Sequence, residues 1–270
     1  MHLNLNSLTF TRTLRQILSV LLLLGALAAV RAPLFAQQSI PIPNFSFESQ
    51  TAPNTYPYVN INVDAWQKAP EPAYYGPAIG TPFGIPWVGT AGVFLDVNPY
   101  ANHDGLQVGY ILGFPEVTLF QDYSTSPTHD FNATFDVGKS FTLTVGLFGK
   151  STLAPGSTFQ MSLYYLDGAN NHVNVASTTA TYSAAAFPST SPLSLIDYSV
   201  NVPTVQASDA WAGKNIGIQL LSTSPIELAT GGNWDFDNVR LTEIPEPAPF
   251  ALLSLGIVAF ILPRIRQRRR

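Results

Sequence analysis

The sequence predicts an all-β fold in which two antiparallel sheets pack as a sandwich. The central part of the 270-residue chain is rich in Val, Thr, Phe, Tyr, Gly and Pro and poor in Lys and Glu. This composition favours strands and turns over helices. Long runs with a helical period are missing, and short alternating segments are separated by turn residues instead. About ten to twelve such segments are typical of two packed antiparallel sheets.

The clearest strand pattern lies in the middle of the chain, where Phe141, Leu143, Val145 and Leu147 share one face. Residues two apart lie on the same face of a strand, so this alternation predicts a half-buried strand. The predicted strands, in chain order, cover residues 42–48, 92–97, 106–112, 116–123, 139–150, 157–167, 172–183, 194–202, 215–223 and 233–244.

The last predicted strand changes phase. Trp234 and Phe236 have one parity, and Val239 and Leu241 have the other. A regular strand cannot bury both pairs on one face, so a bulge is predicted near residues 237–238.

The N-terminus, residues 1–36, has the pattern of a secretory signal peptide that forms a helix. A basic region with Arg12 and Arg15 precedes an apolar segment at 17–30, and cleavage is predicted after Ala36. An uncleaved N-terminal anchor is the alternative. The exported domain is then predicted to cover residues 37–243.

The end of the chain, residues 244–270, combines Pro245, Glu246 and Pro247 with an apolar segment at 250–262 and a terminal arginine cluster. In this order the three parts resemble the PEP-CTERM sorting signal. The resemblance implies secretion machinery and an exosortase-type processing enzyme as partners, with transient anchoring in the inner membrane by a short hydrophobic helix. It also implies delivery to the cell surface or extracellular matrix of bacteria that make extracellular polysaccharide. A permanent C-terminal anchor is the alternative.

The charge of the predicted domain is masked by the two ends. Residues 37–243 contain five basic and 16 acidic side chains, a net charge of −11, whereas the whole chain has −4. Nucleic acid is therefore excluded as a partner, because binding phosphates requires clustered Lys and Arg. The chain has no cysteine, which excludes disulfides, thiolate metal sites and a cysteine nucleophile.

Two short motifs near the ends of the domain, residues 44–48 with the later Trp66 and residues 236–241, resemble the jelly-roll, galactose-binding-like domains related to carbohydrate-binding modules. The resemblance implies a structural calcium ion held in part by Glu48 and Asp237. Calcium takes six to eight oxygen ligands, so other groups would complete its coordination. In the alternative, both acids cap strand ends or face solvent.

A Pro- and Gly-rich stretch between residues 64 and 100 is predicted to be a long loop with candidate binding residues. Exposed aromatic rings can stack on sugar rings, which makes polysaccharide a candidate ligand. The candidate carbohydrate-binding residues are Trp66, Tyr74, Tyr75, Trp87 and Tyr100. In the alternative, these rings pack on the sandwich and hold the loop in place.

Motifs of catalysis are missing from the sequence. It contains no G-x-S-x-G or S-x-x-K nucleophile motif, and His103, His129 and His172 lack metal-ligand spacing. The prediction is therefore a non-enzymatic surface or matrix domain that binds polysaccharide or is structural. The alternative is an extracellular hydrolase acting on glycans.

Overall fold

The structure, a computed structural model, describes residues 37–56, 58–76, 84–96, 100–190 and 192–245. Nearly all regular structure in these residues is β-strand, with two short 3-10 helices at Trp87–Gly89 and Ile226–Leu228. The strands are β1 Gln38–Ile40, β2 Val59–Asn60, β3 Gln67–Lys68, β4 Ala91–Leu95, β5 Gln107–Leu112, β6 Thr118–Gln121, β7 Lys139–Gly149, β8 Thr158–Leu166, β9 His172–Thr181, β10 Ile196–Val202, β11 Gly217–Ser222 and β12 Asn233–Pro245.

The described strands form two antiparallel sheets, as the alternation predicts. The seven-stranded sheet has the order β10-β7-β12-β5-β4-β2, and β1 also pairs with β12. The five-stranded sheet has the order β3-β6-β11-β8-β9. Most neighbouring strands in the two sheets are distant in sequence. The first and last strands, β1 and β12, pair with each other, and β12 lies in the middle of the seven-stranded sheet. The prediction of an all-β, two-sheet sandwich is confirmed.

Aromatic rings fill the space between the sheets. Trp234 and Phe236 of β12 are fully buried and lie 5.7 Å from Phe159 of β8, measured between ring centroids. The predicted stripe on β7 is buried along its whole length, from Phe141 to Leu147. Alternation therefore places these side chains between the sheets and their strand neighbours on the opposite faces.

The predicted change of phase in β12 is confirmed. β12 pairs with β5 through Asn233–Phe236 and with β1 through Leu241–Glu243, and the buried parity changes between these segments. At the change, Asn238 has a φ of 55°, the left-handed region that Asn tolerates best after Gly.

The predicted strand at 42–48 is wrong, because this segment forms turns. Asn44 and Phe47 have φ values of 48° and 58°, which no strand allows. Tertiary contacts hold this conformation, since Phe47 is fully buried and stacks on Trp66. Gln107 also donates a hydrogen bond to the carbonyl oxygen of Phe47.

The two predicted terminal helices, at 1–36 and after residue 245, lie outside the described residues. None of the helices within the described residues has the length and apolar character needed to cross a membrane.

Candidate active site

A cavity of about 930 Å³ lies on the outer face of the seven-stranded sheet. Tyr110 and Leu112 of β5 line it, whereas the intervening Ile111 pairs with the core residue Trp234. Most of the other lining side chains are apolar or aromatic. The full lining comprises Tyr56, Tyr58, Val59, Ile61, Gly84, Ile85, Pro86, Gly89, Phe94, Leu95, Asp96, Tyr110, Leu112, Lys150, Leu193 and Asn233.

Loop segments form the outer wall of the cavity. The segment 84–89 includes a 3-10 helix, and its Gly89 carbonyl oxygen accepts a hydrogen bond of 3.1 Å from the Tyr110 hydroxyl. On another side, the backbone N–H of Ala101 donates to the Leu193 carbonyl oxygen at 2.9 Å. These bonds fasten the loops to each other and to the sheet, so backbone as well as side chains forms the walls of a cavity that is open to solvent on one side.

An ion pair lies at the floor of the cavity. The Lys150 Nζ is 2.8 Å from the Asp235 Oδ2, and Lys150 lines the cavity while Asp235 is completely buried behind it. Pairing of β7 with β12 sets this geometry. The backbone N–H of Lys150 donates a hydrogen bond to the Asn233 carbonyl oxygen. Period-two alternation turns Asp235 away from Trp234 and Phe236 and toward the cavity side of the sheet.

Asp235 accepts further hydrogen bonds from the Tyr100 hydroxyl and the Asn233 side-chain amide. Burial raises the pKa of Asp235 to about 6, although Lys150 and the hydrogen bond from Tyr100 act in the opposite direction. Burial and the Asp235 charge together raise the pKa of the Tyr100 hydroxyl, which therefore stays protonated. Asp235 can consequently gain and lose a proton near neutral pH.

Aromatic rings surround the ammonium group of the pair. The Lys150 Nζ is 5.6 Å from the Phe94 ring centroid and 5.1 Å from that of Tyr100. Ring faces stabilise a nearby positive charge, so these two rings stabilise the Lys150 ammonium group.

The five candidate carbohydrate-binding aromatics are mostly packed inside the protein. Trp66, Tyr75, Trp87 and Tyr100 are buried, and Tyr74 is half-buried. Their polar atoms bind backbone carbonyls or Asp235; for example, the Tyr75 hydroxyl donates to Ile85 and the Trp87 Nε1 donates to Ala69, both at 2.8 Å. Stacking on sugar needs an exposed ring face, and none of the four buried rings offers one.

The two candidate calcium ligands converge on one turn. Glu48 Oε1 accepts the N–H groups of Leu106 and Gln107 at 2.9 and 2.7 Å, and Asp237 Oδ2 accepts the Asp104 N–H at 2.7 Å. Gly105, with φ of 91°, makes this approach possible, since a side-chain carbon there would lie 2.4 Å from the Glu48 carboxyl carbon. Among the described residues, no group of three or more His, Cys, Asp or Glu side chains is arranged to hold a metal ion.

One oxygen of Asp237 has no partner. Its Oδ1 is buried and accepts no hydrogen bond from the protein. Burial raises the pKa of Asp237 to about 7, against weaker opposing hydrogen bonds from backbone N–H groups. A buried carboxylate with an unused oxygen is destabilising unless a proton or a cation joins it.

We expect Asp237 to make the protein less stable as the pH rises in the presence of a chelator. Between its unfolded pKa of about 4 and its folded pKa of about 7, the folded chain binds more protons than the unfolded chain. The free energy of unfolding should therefore fall by about 2–4 kcal/mol across this range on account of this group. Urea unfolding of the wild type and D237N at several pH values measures the effect. Parallel pH curves for the two proteins would show that the Asp237 proton is not linked to folding.

Sequence reasoning missed the Lys150–Asp235 pair. In the sequence, Asp235 belongs only to a D-x-D spacing with Asp237, which is common. Lys150 is the last residue of a predicted strand and belongs to no motif. One signal was present: Asp235 lies between two aromatic residues that a strand must bury, so alternation places its carboxylate on the opposite face of the sheet.

Comparisons with known proteins match the whole described domain. The family model described as HpiC1-like, HpiC1 cyclase, matches residues 38–242. A crystal structure of a cyclase from Fischerella sp. TAU is 20% identical with a TM-score of 0.50, covering 78% of this chain and 99% of that one. An apo-form cyclase from Fischerella sp. is 21% identical with a TM-score of 0.50, covering 78% and 98%. The CBM22-1 xylan-binding domain from Paenibacillus barcinonensis is 8% identical with a TM-score of 0.39, covering 67% and 86%. No curated protein sequence matches the chain.

The family match corrects the functional predictions. A non-enzymatic domain that binds polysaccharide or is structural is wrong, because the matching family is described as a cyclase. The alternative of a glycan hydrolase is wrong for the same reason. The sequence could not reveal this, because it carries none of the nucleophile or metal motifs that mark many enzymes. The resemblance to a sorting signal at 244–270 lies almost wholly outside the described residues and stays a prediction, as do the partners and the localisation.

Proposed function

We propose, from the premise that this chain belongs to the HpiC1-like cyclase family, that the protein is an enzyme that cyclises an apolar molecule inside the cavity. The observation that carries the proposal is the position of the Lys150–Asp235 pair at the floor of a large, apolar cavity. A cyclisation joins two parts of one molecule, so its catalyst needs a shaped binding space, an apolar surface and an acid–base group. Each of these requirements has a counterpart in the residues described above.

Enclosure lowers the entropy barrier of ring closure. A flexible molecule reacts with itself only when its ends meet, and a shaped cavity holds them together before the reaction. Aromatic and aliphatic side chains, including Tyr58, Phe94 and Leu112, line the cavity of about 930 Å³ and give it a largely apolar surface. The aromatic rings that line the cavity, such as Phe94 and Tyr110, can stabilise positive charge that develops during acid-catalysed closure.

The acid is the Lys150–Asp235 pair in its doubly protonated form. Lys150 donates one N–H proton to the substrate while the Asp235 carboxylic acid returns a proton to Lys150 across their 2.8 Å contact. The π electrons of the protonated substrate then form the new ring bond, and the ring cation loses a proton to the Asp235 carboxylate through Lys150. The pair ends as it began, and the product is an isomer of the substrate.

An isomerisation assay tests this function. The full chain is incubated without cofactor with acyclic polyenes and with arenes that carry an unsaturated side chain, and products are separated by chromatography with mass detection. We expect a product of unchanged mass and altered retention, which gains one deuterium when the reaction runs in D₂O. A broad panel that yields no isomer, or only hydrated products, would contradict the proposal.

Calcium is proposed as a structural ion at the turn that Glu48 and Asp237 share. The unpartnered Asp237 Oδ1 supports this, because a carboxylate oxygen is a preferred calcium ligand and a cation would relieve its burial. Bound calcium would supply charge neutralisation only. Glu48 and Asp237 would hold it together with other oxygens of the protein.

Calcium addition is expected to stabilise the chelator-treated wild type. At about 1 mM calcium, a gain of about 2 kcal/mol corresponds to a rise in Tm of about 4–8 °C for a domain of this size. D237N should lose this response, because the amide contributes no charge. Thermal unfolding with calcium, and with magnesium at equal ionic strength as the control, measures it. Equal melting temperatures with calcium and with chelator would rule out the site.

A further inference from the structure

A lysine holds the outer wall of the cavity from behind. Lys68 lies in β3, an edge strand of the five-stranded sheet, but its side chain reaches the edge of the other sheet. Its Nζ donates hydrogen bonds to the backbone carbonyl oxygens of Ile61, Val88 and Ala91, with a distance of 2.6 Å to Val88. These carbonyls belong to three separate segments, which follow β2, form the 3-10 helix and begin β4.

Two of the three segments form the wall of the cavity, and the third is the start of β4. Ile61 and Gly89 line it directly, and Gly89 also accepts the hydrogen bond from Tyr110. A single ammonium group therefore joins both loop segments of the wall to the first residue of β4. The three N–H bonds of an ammonium group match three acceptors, so every donor of Lys68 is used.

Burial of the charged Lys68 side chain is unfavourable. Lys68 forms no ion pair within the described residues, and burial lowers its pKa to about 8. An apolar side chain would fill the same space without this desolvation cost, but it would leave three carbonyl oxygens without a donor. The presence of a lysine at this buried position is thus explained by its hydrogen bonds to the three carbonyls rather than by packing.

We infer that Lys68 is a positioning residue that clamps the loop wall of the cavity against the sandwich and so sets the shape of the binding space. The inference rests on the proposed function only in taking this cavity as the substrate site. Without the ammonium group, the carbonyls of residues 61 and 88 turn toward water, and the wall moves outward.

The test compares full-length wild type, K68M and K68R, with K214M as the matched control because Lys214 is exposed. Binding is measured with prodan, a neutral naphthalene dye whose emission shifts to the blue in an apolar site. L112W, which fills the cavity, identifies binding at this site. Amide hydrogen exchange at 58–63 and 84–92 reports on the wall, and exchange in β7 and β8 reports on the sandwich.

We expect K68M to bind the dye about tenfold or more weakly and to exchange wall amides about tenfold or more faster, with exchange in β7 and β8 unchanged. K214M should match the wild type. K68R should give a dye affinity and wall exchange rates between those of K68M and the wild type. A planar guanidinium keeps the charge, but it cannot direct three N–H bonds at carbonyls that converge on one point. If K68M does not fold, K68R decides the question.

Unchanged dye affinity and wall exchange in the folded Lys68 variants would overturn the inference. Exchange that rises equally through the whole sandwich would also overturn it, since this indicates a general loss of stability. The inference also loses its basis if the wild type does not bind the dye. The same holds if L112W binds the dye as tightly as the wild type, because the dye would then bind outside this cavity. None of these measurements requires turnover, so their outcome does not depend on whether cyclisation is detected.

Discussion

Replacement of Asp235 by asparagine is expected to lower the rate of cyclisation by about 10²–10⁴-fold, the range that a positioned acid–base group contributes. Asparagine has nearly the same shape and can still accept a hydrogen bond from Tyr100, but it holds no transferable proton. Lys150 then has no group that returns the proton it gives to the substrate. Initial rates of isomer formation measure the effect, and circular dichroism verifies the fold.

The matched control is D197N. Asp197 is exposed on β10 and pairs with Arg240 at 2.6 Å, away from the cavity lining. Its replacement should change the rate by less than about twofold, since exposed ion pairs contribute little. A D235N enzyme that keeps more than about a third of the wild-type rate would exclude Asp235 as the proton source. The wild-type rate should also fall as the pH rises through about 6, because only the protonated form of Asp235 supplies the proton.

Replacement of Phe236 by alanine is expected to lower the free energy of unfolding by about 3–5 kcal/mol. Phe236 is fully buried between the sheets, 5.1 Å from the Phe47 ring centroid. On the strand beside it, a side-chain carbon at Gly109 would lie 2.4 Å from the Phe236 ring, so this glycine leaves room for the ring. Gly109 has no side chain that could fill the space left by alanine, and the cavity therefore persists.

F45A is the matched control, because Phe45 is 40% exposed and close in sequence to the same turn. Its loss should be less than about 1 kcal/mol. Urea unfolding with equal m-values for both variants gives the comparison. If the two variants lost equal stability, the assignment of Phe236 to the core would be wrong.

The sandwich was predictable because its signals are local. Alternation in segments such as 139–150 depends only on the period of a strand, and the structure places a strand at Lys139–Gly149. The change of phase after Phe236 was predictable for the same reason, since a change of parity is visible within eight residues. The turns at 42–48 were not, because Phe47 takes its left-handed conformation from contacts with Trp66 and Gln107, which are distant in the chain.

The sequence by itself determined the two-sheet architecture, the acidic domain and the exclusion of cysteine chemistry. Tertiary structure alone decided the site. Lys150 and Asp235 are 85 residues apart and meet only because β7 pairs with β12, and Lys68 reaches the cavity wall only because two sheet edges lie side by side. Strand period is a property of neighbouring residues, whereas a cavity and its acid arise from which strands pair, and pairing between distant strands is set by the packing of the whole core.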